Sequence, residues 1–196
     1  MKYNFDEIIP RRGTNSLKWD TAGDDNTLPM WVADMDFRTA PEVIEALEKR
    51  AKHGIFGYVK VPETYYASII GWFQRRHGLA IEKEWILYTT GVVPALSVIV
   101  KSLTAPGDKI LIQPPVYNCF FSVVRNNGRE IVTNSLIYEN GHYSIDFEDL
   151  ERRAKDPKAK LMIVSSPHNP VGRVWTEEEL RRVGDLCVKH NVLVVS

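Results

Sequence analysis

The chain has 196 residues, 44% of them hydrophobic and 26% charged, with 25 basic side chains against 25 acidic ones. That composition fits a soluble globular domain with a substantial core and excludes fibrous, low-complexity and disordered classes. The balanced charge removes the electrostatic case for nucleic acid or an anionic membrane as the main partner.

Cys119 and Cys187 lie far apart and outside any Cys-x-x-Cys pattern, so neither a disulfide framework nor a zinc site is suggested. The amino terminus lacks an apolar h-region, and the longest apolar runs fall far short of the ~18 residues that a membrane span needs. A cytoplasmic chain with no export signal and no anchor is expected.

From Thr39 onward, segments with a 3.6-residue period alternate with short continuous apolar runs. The first helix is predicted over 41–53, with Val43, Ile44, Leu47 and Ala51 on one face, Pro41 near its first turn and Gly54 beyond its end. The second is predicted over 63–77, with Ile69, Ile70, Trp72 and Phe73 on its apolar side and Gly78 as a left-handed cap. Trp85-Ile86-Leu87-Tyr88-Thr89 reads as a strand, 95–103 as a helix, 105–108 as a turn, and Lys109-Ile110-Leu111-Ile112 as a second strand. The alternation continues with a helix at 117–126, a strand at 129–133, a tight turn at Asn140-Gly141, a helix from about Asp146, and a strand at 161–164. Thr176 with Glu179 makes a capping box for the next helix, and the chain closes on the apolar run Val192-Leu193-Val194-Val195-Ser196. This order predicts an α/β fold in which helices cover both faces of a mostly parallel sheet. The last run reads as a buried parallel strand with nothing after it, so the sheet is expected to be incomplete and the sequence truncated.

Three stretches stand at ligand-binding positions of such a sheet. Pro167-His168-Asn169-Pro170-Val171-Gly172 follows the 161–164 strand, and its prolines hold the Asn169 carboxamide in place. His168 fits a ligand-orienting role and a loop-packing role equally well. Thr90-Gly91-Val92-Val93-Pro94 opens a helix, and taken alone it reads first as a simple strand-to-helix turn, although the free backbone N–H groups there can cradle a phosphate. Gln113-Pro114-Pro115-Val116-Tyr117 places an aromatic ring just past another strand, where it can stack on a planar heterocycle or equally fill the core under a loop. Gly54-Ile55-Phe56-Gly57-Tyr58 is a glycine-bounded loop that singles out nothing unaided.

Taken with Lys18-Trp19-Asp20 and Leu28-Pro29-Met30-Trp31-Val32-Ala33-Asp34-Met35-Asp36-Phe37, these stretches resemble the pyridoxal-phosphate enzymes of aminotransferase class I/II, fold type I. Within that family they are most similar to the cystathionine β-lyase (MalY/PatB-type carbon–sulfur lyase) branch. The resemblance runs through essentially the whole chain. It implies that 1–38 are an N-terminal arm contributing to a small domain and 39–196 are the first part of the cofactor-binding large domain. It implies a pyridoxal 5'-phosphate cofactor, with Gly91, Val92 and Val93 at the phosphate and Tyr117 stacked on the pyridine ring. Asn169 would hydrogen-bond the phenolic oxygen and reach toward the substrate carboxylate, which the Ala33 backbone would also meet. Tyr58 would cross to the partner subunit's phosphate, so a homodimer acting on a small amino-acid substrate is expected.

The same resemblance implies a Schiff-base lysine and an aspartate facing the pyridine nitrogen, and neither falls within these residues. Lys18 and Lys101 stand in a different context and read as solvated or structural. The expected activity is β-elimination from a cysteine thioether, giving thiol, pyruvate and ammonia, with this half inactive alone. The alternatives are an aminotransferase and, in another class, a regulatory or interaction protein that keeps the fold. Five dispersed histidines and the lack of a Gly-x-Ser-x-Gly elbow leave metal hydrolysis and serine hydrolysis without support.

Overall fold

The computed structural model describes residues 3–196 and divides into two compact units, Met1–Pro62 and Glu63–Ser196. The first unit holds a single helical turn, α1 (Leu17–Asp20), and the helix α2 (Pro41–His53). Pro41 opens α2 and Gly54 closes it at φ 74°, the two boundaries that the sequence predicts. Apart from Pro29, no apolar side chain among the described residues of this unit is buried.

Ion pairs tie together the segment from Arg11 to Asp36 of the first unit. The Asp36 carboxylate accepts from Arg11 Nη1 at 2.8 Å, Lys18 Nζ at 2.9 Å and Trp19 Nε1 at 2.8 Å. Arg11 also donates to Asp34 at 3.0 Å and to the Met35 carbonyl, and Lys18 to the Asp34 carbonyl. The Lys18 and Trp19 hydrogen bonds hold the Asp36 carboxyl below its usual pKa. Two strings that stand apart in the sequence thus form one network. Lys18 is structural and only 8% exposed.

The second unit starts with α3 (Glu63–His77), capped by Gly78 at φ 64°, and continues with α4 (Val92–Leu103). Then come β1 (Lys109–Ile112), α5 (Asn118–Asn126), β2 (Glu130–Thr133), the hairpin strands β3 (Ile137–Glu139) and β4 (His142–Ser144), and α6 (Phe147–Ala154). The last elements are β5 (Ala159–Ile163), α7 (Glu177–Lys189) and β6 (Leu193–Val195). Asn140 and Gly141, both at positive φ, make the hairpin turn. The capping box at α7 is present, with Glu179 N donating to Thr176 Oγ1 at 3.1 Å and Thr176 N to Glu179 Oε2 at 2.8 Å.

The sheet is fully parallel in the order β2-β1-β5-β6. Alternate residues of its central strands feed two cores, the arrangement expected when both faces are covered. Ile110, Ile112, Leu161 and Ile163 pack against Leu96 and Val100 of α4 and Phe120, Val123 and Val124 of α5. Leu111 and Met162 face Leu150 and Ala154 of α6 and Val183 and Cys187 of α7. Burial alone pushes the Cys187 thiol up to about 11.

Three expectations are corrected. Residues 85–89 form no strand: Lys83–Trp85 is a 3-10 turn, and the chain beyond it leaves Leu87 and Tyr88 exposed, without a ladder partner among the described residues. Helix α4 starts at Val92 rather than Ala95, because Pro94 is tolerated in a first turn, where its missing N–H would have no partner. The final strand is parallel as expected and lies beside β5, yet Leu193 and Val194 are 49% and 45% exposed, since β6 is a sheet edge. No helix among the described residues is long and apolar enough to cross a membrane.

Candidate functional site

The site lies at the carboxyl ends of β1 and β5, neighbours in register from Ile110 opposite Leu161 to Leu111 opposite Met162. A parallel sheet presents its loops to ligands at this edge.

Beyond β1, Tyr117 caps α5 with a backbone of φ −48° and ψ 124°, so its ring stands outside the helix and is 40% exposed. It meets Phe120 edge-on at 6.1 Å, leaving a ring face for stacking. A hydrogen bond with the Cys119 side chain raises the phenol pKa, which keeps the hydroxyl protonated. Beyond β5, the loop folds back on itself. His168 N donates to Arg173 O at 2.6 Å, and Gly172 N, at φ 74°, donates to His168 O at 2.7 Å. The Asn169 backbone N donates to Ser165 Oγ at 3.3 Å, while its carboxamide makes no hydrogen bond among the described residues and is exposed.

The loop rests on Trp175, which is 3% exposed and donates from Nε1 to Ser165 O at 2.9 Å. Arg173 lies 4.5 Å over the Trp175 ring and grips Glu179 with two 3.0 Å bonds, locking the loop to the start of α7. His168 is 1% exposed, and its Nε2 lies 3.0 Å from Pro115 O, in the loop that carries Tyr117. Burial lowers its pKa against the raising effect of nearby backbone carbonyls, so the ring is neutral and Nε2 carries the donated proton.

Helix α4 supplies the third component. The turn through Asp108 joins its end directly to the start of β1, so the roughly 18 Å of its twelve residues run back toward the carboxyl edge of the sheet. Gly91 precedes it at φ 154° and ψ 166°, a backbone region that side chains rarely adopt. A Cβ built on Gly91 would meet only Pro94 Cδ at 3.6 Å, so conformation and not space calls for glycine here. Ala95 N makes the first bond, to Gly91 O at 3.1 Å, and the N–H groups of Val92 and Val93 have no partner among the described residues, which leaves them as first-turn donors beside the positive helix end.

Gly91, Val92, Val93, Tyr117 and Asn169 are therefore all carried by loops or helix starts of one sheet edge. Ala33 and Tyr58 belong to the first unit. Ala33 immediately precedes the residues pinned by Arg11 and Lys18, and Tyr58 is fully exposed. Behind the site runs a buried polar chain that the sequence did not single out. Gln113 Nε2 donates to Asn134 Oδ1 at 3.0 Å, and Asn134 Nδ2 donates to Asp146 O at 2.9 Å and Asp149 Oδ2 at 3.0 Å. Burial raises the Asp149 pKa, but its bonds with Asn134 and Arg153 and the charge of Arg152 outweigh that and hold it ionised. Only a polar residue just past an apolar strand could have signalled Gln113, and nothing in the sequence pairs it with Asn134.

The family model of aminotransferase class I and II matches residues 27–196. Cystathionine beta-lyase PatB of Bacillus subtilis is 48% identical over 98% of the chain and 51% of its own length. Cystalysin from Treponema denticola, solved with pyridoxal 5'-phosphate, superposes with a TM-score of 0.91 at 39% identity, over 99% of this chain and 51% of that one. The PLP-bound C-S lyase from Staphylococcus hominis, complexed with L-cycloserine, gives 0.89 at 36%, over 98% and 50%. The chain spans about half the length of the curated relatives it matches. Since the family match takes in the Trp31 to Phe37 string and every strand of the sheet, the chain belongs to the aminotransferase class I and II family.

Proposed function

We propose that the protein is a pyridoxal-phosphate-dependent carbon–sulfur β-lyase acting on a cysteine thioether such as cystathionine, and that it works as a homodimer. The observation that carries the cofactor reading is the convergence of three unlike groups on one sheet edge: an open helix start, an exposed ring and an exposed carboxamide. They answer the three parts of the cofactor, a phosphate, a planar heterocycle and a phenolic oxygen. Likeness to PatB across nearly the whole chain favours carbon–sulfur cleavage over amino transfer.

In this reading the N–H groups of Val92 and Val93 bind the phosphate, with Gly91 letting the backbone approach. The Tyr117 ring lies on one face of the heterocycle and excludes water from it. The Asn169 amide donates to the phenolic oxygen and orients the ring, while its oxygen and the Ala33 backbone meet the amino-acid substrate. Tyr58 extends to the phosphate held by the partner subunit. Bound pyridoxal phosphate supplies the electron sink that makes the substrate Cα–H acidic. The net reaction breaks the Cβ–S bond and, with one water, gives homocysteine, pyruvate and ammonia from cystathionine. The proton-moving lysine is not assigned to any residue of this chain.

The test uses the protein produced from its own gene and supplied with pyridoxal phosphate. Borohydride reduction followed by intact mass should show one cofactor per subunit, and cystathionine should yield free thiol and pyruvate in equal amounts. Transfer of the amino group to a 2-oxo acid without thiol would make it an aminotransferase, and no stoichiometric adduct would overturn the cofactor reading.

A further inference from the structure

We propose that His168 is a positioning residue whose imidazole ties the Asn169 loop to the Tyr117 loop, setting the spacing of the two groups that grip the cofactor ring. The proposal rests on the cofactor reading above, although the tie itself is a property of the protein without ligand.

The strands β1 and β5 are paired in register only as far as Leu111 opposite Met162; beyond that pair the ladder between them does not continue. His168 Nε2 to Pro115 O, at 3.0 Å, is the side-chain hydrogen bond that joins the two loops among the described residues. It connects the residue directly before Asn169 with the carbonyl two residues before Tyr117. A shift of either loop would therefore change the distance between ring and carboxamide.

The imidazole is itself held still. Its backbone N–H and C=O are both spent on the 168–173 turn. Its ring meets Trp175 edge-on at 5.3 Å, and Trp175 is anchored to Ser165 O. A histidine that merely filled space would not need a donor aimed into the neighbouring loop. This one also carries a cost, because Nδ1 is buried without a hydrogen-bond partner among the described residues, as is Gln113 Oε1 just past β1. A leucine would fill similar volume without an orphaned nitrogen, so the donated bond to Pro115 is what histidine adds at this position.

The test compares H168L, which fills the space without a donor, with H168Q, whose amide can still reach the Pro115 carbonyl. Both are made in the protein produced from its own gene. Amide hydrogen exchange without cofactor reads the tie directly. H168L should raise exchange at least tenfold in 116–118 and 168–172 together, and H168Q should hold both near wild type. With pyridoxal phosphate added, H168L should bind about tenfold more weakly and show reduced visible circular dichroism per bound cofactor, and H168Q should restore both to within about threefold.

Exchange that rises in 168–172 alone, or a glutamine variant as impaired as the leucine one, would overturn the proposal and leave a packing histidine. If both loops loosen in H168L but the wild type binds no pyridoxal phosphate, the tie stands and the cofactor reading falls. Should H168L not fold, H168N is too short to reach Pro115 and gives the same contrast with H168Q.

Discussion

Replacing Asn134 with aspartate tests the buried polar chain behind the site by changing one atom type and almost no volume. Asn134 is fully buried and donates through Nδ2 to Asp149 Oδ2 at 3.0 Å. In N134D that donor becomes a carboxylate oxygen facing a carboxylate oxygen. At this spacing the repulsion is about 5 kcal/mol with an effective dielectric of about 20. Protonation offers an escape that costs about 4 kcal/mol at pH 7, from roughly three pH units at about 1.36 kcal/mol each, so proton uptake limits the penalty. Loss of the bond to Asp146 O adds about 1 kcal/mol. The pair would hold a proton in the folded state at a pH where the unfolded chain has released it, so the folded pKa is raised. The stability deficit therefore shrinks as pH falls, by about 1.4 kcal/mol per unit between pH 7.5 and 5.5. Urea denaturation of wild type and N134D at three pH values measures this. A deficit below 1 kcal/mol at pH 7.5, or one that does not change with pH, would refute the reasoning.

Three further outcomes are expected. Tyr117→Ala should weaken pyridoxal-phosphate binding about tenfold by removing a stacking face, with Tyr117→Phe staying within about threefold of wild type; fluorescence titration reads both. The His168 pKa is depressed in the folded protein, so its contribution is present above the unfolded value near 6.5 and is lost as pH falls below it; urea midpoints should drop more steeply from pH 7 to 5 in wild type than in H168Q. Asp36→Asn should loosen the Trp31 to Phe37 string, seen as faster limited proteolysis in the first unit with the second unit's core unchanged, because Arg11, Lys18 and Trp19 all converge on that carboxylate.

Where local chemistry decides structure, the sequence was readable. Pro41 and Gly54 marked both ends of α2, Thr176 and Glu179 marked the start of α7, and Asn140-Gly141 marked the hairpin. The apolar runs at 109–112 and 161–164 marked the central strands, and the loops after them carry Tyr117 and Asn169. The failures share one cause, dependence on a distant neighbour. Residues 85–89 have strand composition, but a strand also needs a partner, and composition names none. The strand at Leu193 was expected buried because it is apolar, whereas burial depends on what lies beside it. Asn134 and His168 owe their contacts to groups 15 and 53 residues away. No short-range pattern encodes such pairings.

The two units are held by different forces, and ionic strength acts on them unequally. With almost no apolar side chain buried, the first unit depends on attraction between charges that are partly open to water, and at 1 M salt such attraction is screened within about 3 Å. The parallel sheet, closed by Ile110, Leu111, Leu161 and Met162 in a dry interior, is insensitive to that screening. Added salt thus softens the charge-held segment around Asp34 and Asp36 while leaving the sheet edge that carries Tyr117 and Asn169 rigid.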